Sequence, residues 1–122
     1  MTFPRTGVLL LTAALAFPAQ AAPRLGTPDN PIPLTCENLK QVIATHHHRK
    51  NGSVIAGTMT IETEDDSAVP PVALGCKGTI HIICMMEVPS SVPAGAEVRI
   101  AGRISRLGKN YLMVDPCGVA PN

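Results

Sequence analysis

The stretch Glu97–Cys117, EVRIAGRISRLGKNYLMVDPC, constrains the fold most. Val98, Ile100, Gly102 and Ile104 alternate with Glu97, Arg99, Arg103 and Ser105. That period of two belongs to a half-buried strand. Leu107-Gly108-Lys109-Asn110 supplies a reversal, because Gly and Asn tolerate positive φ. A second apolar arm, Tyr111–Val114, follows, and Asp115-Pro116 is expected to stop it, since proline cannot donate to a ladder. The rest of the chain is read as material that closes a small β-barrel onto this hairpin.

The N-terminus suggests where such a barrel works. Arg5 precedes an uncharged apolar run, Gly7–Phe17, and Pro18-Ala19-Gln20-Ala21 ends in small residues at A-x-A spacing. This is the three-part pattern of a secretory signal, and the run is shorter than the ~20 residues of a membrane helix. Residues 1–21 are read as a signal peptide, with a mature chain from Ala22 that keeps no transmembrane segment. Without Arg5, the ten Lys and Arg fall to nine, against nine Asp and Glu. A neutral chain of this kind is expected to have no long-range field for nucleic acid or anionic membrane.

The mature chain has one aromatic residue, Tyr111, so its core must be aliphatic. A domain of about 100 residues buries a modest share of its surface and gains from covalent staples. Cys36, Cys76, Cys84 and Cys117 make an even set with no C-x-x-C, which in an exported chain argues for two disulfides among three connectivities.

Residues 22–34, rich in proline, are read as an extended arm, and 35–122 as the domain. Thr35 is a candidate helix N-cap, and Leu39, Val42 and Ile43 form an apolar stripe, predicting a helix over Cys36–Thr45. His46-His47-His48-Arg49-Lys50 follows, and Asn51-Gly52 breaks the helix. The tract is either a solvated helix end with charge suited to the dipole, or a metal-binding His cluster. Ser53–Thr63 is a long strand directing Ile55, Met59 and Ile61 inward, with Gly57 marking a bend. Glu64-Asp65-Asp66-Ser67 is an acidic loop without calcium-loop spacing. Val72–Leu74 and Thr79–Met86 are two further strands, the latter sending Ile80, Ile82, Cys84 and Met86 inward. Pro89–Ala96 links them to the hairpin.

One helix and five strands predict a mainly β chain: a small five-stranded OB-like barrel with one N-terminal helix. Gly78, Ile80, Cys84, Gly95–Val98, Gly102, Tyr111, Leu112 and Asp115-Pro116-Cys117 resemble bacterial exported OB-fold domains, loosely of the anticodon-binding-like type, over residues 53–119. In a barrel of that kind the third and fifth strands are parallel neighbours. The resemblance therefore implies Cys84 bonded to Cys117, leaving Cys36 for Cys76 at the helix.

Three functional readings follow. The first is an exported, non-catalytic binding or structural module of the cell envelope, its partner an unknown envelope protein or polymer. The second is a periplasmic soft-metal carrier for copper or silver, with zinc also conceivable. It would use His46, His47, His48, His81 and Met85, since thioether and imidazole suit such ions. The third is single-stranded nucleic-acid binding over Arg99, Arg103, Arg106, Lys109 and Tyr111. Neutral charge, export and a single aromatic residue count against it, because binders of this fold stack bases on aromatic rings. No nucleophile elbow, H-E-x-x-H or glycine-rich phosphate loop is present, so no enzyme is expected.

Overall fold

The structure, a computed structural model, describes residues 24–46 and 52–122. The signal peptide expected over residues 1–21, and His47 and His48, lie outside them. In chain order the elements are β1 (Ile32–Leu34), α1 (Leu39–His46), β2 (Val54–Asp65), β3 (Val72–Gly75), β4 (His81–Met85), β5 (Glu97–Leu107) and β6 (Tyr111–Pro121).

The 12 residues of β2 organise the barrel. The strand pairs antiparallel with β3 at one end and with β5 along the rest, so one long strand joins both sides of the closure. The order β2-β3-β4-β6-β5 returns to β2, and β4 and β6 run parallel. That is the closed five-stranded barrel of an OB-like fold, with, among the described residues, one helix before its first long strand. Inward residues alternate as the sequence requires. Ile55, Met59, Ile61, Ile82, Cys84, Met86, Val98, Ile100, Ile104, Leu112 and Val114 are all buried. They form one aliphatic core with Ile32 and Leu34 of β1 and with Leu39, Val42 and Ile43 of α1.

Three expectations change. The proline-rich arm ends in a strand, β1, paired parallel to β2. Its presence explains Gly57, which marks no bend: a Cβ there would overlap the Leu34 carbonyl oxygen. The irregularity of β2 lies instead between Ile61 and Thr63.

The helix begins later than expected, at Leu39. Thr35 Oγ1 accepts from the Asn38 amide at 3.1 Å, and Asn38 Oδ1 accepts from the Thr35 amide at 2.8 Å. Thr35 and Asn38 thus close a reciprocal turn of capping-box type just ahead of the helix, with Asn in the place usually taken by Glu or Gln.

Finally, Asp115-Pro116 does not end β6, which continues to Pro121. The register against β5 shifts between Gly102 and Ile104, and Gly102 leaves room for the Pro116 carbonyl. Proline is tolerated at such an irregularity because no ladder bond is required of it there.

Cys36 is bonded to Cys76, and Cys84 to Cys117. The first ties the entry of α1 to the β3–β4 turn; the second joins the parallel pair β4 and β6.

Candidate nucleic-acid interface

Because Ile82, Leu112 and Val114 point into the core, their neighbours along each strand point outward. Two rows of outward side chains cross the face of β3, β4 and β6. In one, Leu74, Ile83, Met113 and Arg106 stand in register on β3, β4, β6 and β5. The first three are half-buried and Arg106 is exposed. In the other, His81 on β4 is paired with Tyr111 on β6. The chain thus places an imidazole beside its one phenol ring, above an aliphatic strip. The Tyr111 ring lies against Gly108, where a side chain would overlap it.

The hairpin tip is held in place by the backbone. The His81 amide donates to the Asn110 carbonyl at 3.0 Å, and the Gly108 amide to the Tyr111 carbonyl at 2.9 Å. These bonds bring the tip, with Lys109, beside the β3–β4 turn, with Lys77. His81 Nδ1 is 2.9 Å from the Cys76 carbonyl oxygen and 3.4 Å from Glu62 Oε2. A carbonyl only accepts, so Nδ1 carries the proton and the ring is fixed by the disulfide-bearing turn.

Charge is divided along the barrel. Lys77, Arg106 and Lys109 stand at the end of β4 where His81 begins it. Glu64, Asp65 and Asp66 stand at the other end, where Val72 pairs with Met85. Burial pushes the Glu64 carboxyl up, but hydrogen bonds from the Asp66 side chain and from the Ser90 hydroxyl and amide outweigh it and hold it low. Asp66 is raised, chiefly because its protonated form donates to Glu64. Asp65 is lowered by the Ser67 hydroxyl and amide, which close a turn on it. On this face Lys77, Arg106 and Lys109 thus lie toward one end, where Glu62 stands beside His81, and Glu64, Asp65 and Asp66 lie at the other.

The five residues expected to form a ligand face separate into two groups. Arg106, Lys109 and Tyr111 lie together with His81 at the cationic end. Arg99 and Arg103 are seven and three residues earlier on β5. Arg99 lies opposite Thr58 and Ala120, and Arg103 opposite Val54. Arg99 borders a shallow groove of about 690 Å³ floored by small residues such as Ala56, Ala101 and Gly118. Arg103 donates to the Gly52 carbonyl at 2.9 Å.

Of the proposed metal ligands, His46, His81 and Met85 are described, and these three are not brought together. His46 is buried in the last turn of α1, His81 opens β4 and Met85 closes it. Among the described residues no three His, Cys, Asp or Glu side chains converge, and every cysteine is in a disulfide.

Sequence reasoning missed Lys77, Ile83 and Met113. Ile83 and Met113 were visible as outward positions of alternating strands. Lys77 needed the turn geometry.

No protein-family profile matches the chain, and no curated protein matches it. Among solved structures, the crystal structure of the S. pombe Stn1-ten1 complex aligns at 12% identity and a TM-score of 0.48, covering 78% of this chain and 81% of that one. The telomere capping protein Ten1 from Saccharomyces pombe aligns at 11% identity and a TM-score of 0.44, covering 71% and 78%. The expectation of an exported envelope module, with an envelope protein or polymer as partner and nucleic acid set aside, is corrected by the face itself, where His81 pairs with Tyr111 beside Lys77, Arg106 and Lys109.

Proposed function

We propose that this chain is a non-catalytic module that binds single-stranded nucleic acid at the cationic end of its barrel. The observation that supports it is the register pairing of His81 with Tyr111, bordered by Lys77, Arg106 and Lys109. Such barrels take oligonucleotides on the face of their second and third strands, between two loops. Those strands here are β3 and β4. The acidic β2–β3 loop repels a phosphate, so the strand runs at the hairpin-tip half. Imidazole and phenol offer π-faces for bases, and Leu74, Ile83 and Met113 offer apolar contact between them. The cations contact phosphates and fix the position of the strand without reading sequence. Two disulfides support work in an oxidising compartment, in keeping with the signal peptide expected over residues 1–21. The resemblance of residues 53–119 to anticodon-binding-like domains agrees with a nucleic-acid ligand.

Fluorescence anisotropy with a labelled oligo-dT tests the reading. Three phosphate contacts predict a slope of about −2 in log affinity against log salt. Arg106→Glu with Lys109→Glu should weaken binding at least tenfold, and Tyr111→Ala by a similar factor. Salt-independent binding, or double-variant affinity equal to that of the parent, rejects it.

A further inference from the structure

The outer side of α1 does not meet the hairpin tip directly. Between them lies a groove of about 600 Å³, a size typical of small-ligand sites. Ile43 and Ala44 of α1 form one wall, Leu107 and Gly108 the other, and Ile80 the floor. Ile43 is nearly buried, and Ile80 and Leu107 are half-buried, so the floor is an aliphatic surface continuous with the core. Lys40 stands on the helix side and Lys109 on the hairpin side. Both are exposed, and among the described residues neither ammonium group has a hydrogen-bond or ion-pair partner. Among the described residues no carboxylate lines the groove, and Asn110 is its one uncharged polar side chain.

We propose that this groove binds a free medium-chain fatty carboxylate. The aliphatic floor takes the alkyl chain, and the two ammonium groups meet the carboxylate at its rim. An aliphatic chain fits better than a base or sugar because the floor has no aromatic ring to stack on. Asn110 alone could pair with a heterocycle edge. An anion fits better than a cation because both walls present positive charge with no internal counter-ion. The inference goes beyond the nucleic-acid reading: it uses Lys40 and the helix wall, which that reading does not.

Tyr111, the one tyrosine of the chain, reports on the site, since its ring packs on Gly108 in the groove wall. Decanoate titrated into the full chain below its micellar range should change tyrosine emission saturably, at one molecule per chain by calorimetry. Octanoate, two methylenes shorter, should bind roughly tenfold more weakly. Decyltrimethylammonium should not bind. Ala44→Glu changes an exposed helix position and adds a carboxylate at the rim. It should cut decanoate affinity at least tenfold with an unchanged circular-dichroism spectrum. Arg106→Glu, outside the groove, should leave decanoate binding intact while weakening oligo-dT. Equal binding of the cationic amphiphile, no saturable binding of decanoate, or indifference to Ala44→Glu each overturns the proposal. So does a groove filled by a second copy of the chain, seen as a dimer in sedimentation that excludes decanoate.

Discussion

At the scale of single residues, the acidic loop gives a clean test of the electrostatics. Asp66 gains its proton more readily in the folded state than in the unfolded chain, because it then donates to Glu64. A carboxyl with a raised folded-state pKa stabilises the fold at low pH, and that contribution is lost as pH rises through the folded value. Replacing it by a neutral donor should help once the parent Asp66 is ionised. Asp66→Asn is therefore predicted to raise the melting temperature at pH 7, with the gain shrinking as pH falls through the range where Asp66 binds its proton. Thermal melts across that range check the sign. A gain that grows on acidification contradicts the assignment. Glu64 has the opposite linkage. Its carboxyl is held low, so the stability that it lends is present at neutral pH and is lost on acidification.

At the scale of elements, β1 and α1 are the additions to the barrel, and each has a specific fastening. Gly57 admits β1 against β2, since any side chain there would overlap the Leu34 carbonyl. Gly57→Ala should cost about 3 kcal/mol in urea unfolding, because a backbone group must move to relieve the overlap. A loss under half that size would mean that β1 is loosely held. The helix is fastened by Cys36–Cys76, which closes a loop of 40 residues. The chain-entropy argument gives such a crosslink about 4 kcal/mol. Cys36→Ser with Cys76→Ser should lower the urea midpoint accordingly. It should also weaken oligo-dT binding, because the same turn carries Lys77 and accepts the His81 ring hydrogen bond. Unchanged binding would show that the turn is positioned without the disulfide.

These elements also show what could be read from the chain alone. Alternation made the inward residues of β2, β4 and β5 legible, because a period of two leaves little choice of face. β1 was not legible: three residues among prolines have no periodicity, and only the Gly57 close approach betrays a neighbour. The continuation of β6 past Pro116 was hidden for the same reason, since its irregularity depends on Gly102 of another strand. Three residues of the candidate site, Tyr111, Arg106 and Lys109, lay in a hairpin whose tip was marked by Gly108 and Asn110. His81 joined it only through the parallel register of β4 and β6, which sequence separation conceals.

For the whole molecule, the decisive property is that Lys77, Arg106 and Lys109 lie toward one end of one strand face and Glu64, Asp65 and Asp66 at the other. The acidic β2–β3 loop and the cationic hairpin tip lie along one strand face, with two rings and an aliphatic strip toward the cationic side. A polyanion meeting this surface should be drawn to one end and turned away from the other. The most direct measurement is backbone amide chemical-shift mapping of the full chain titrated with an unlabelled oligo-dT at low salt. The account predicts that the largest shifts gather at Lys77, His81, Ile83, Arg106, Lys109, Tyr111 and Met113, with residues 64–70 unaffected. Shifts centred on the acidic loop, shifts confined to Arg99 and its small-residue groove, or no shifts at all would contradict it.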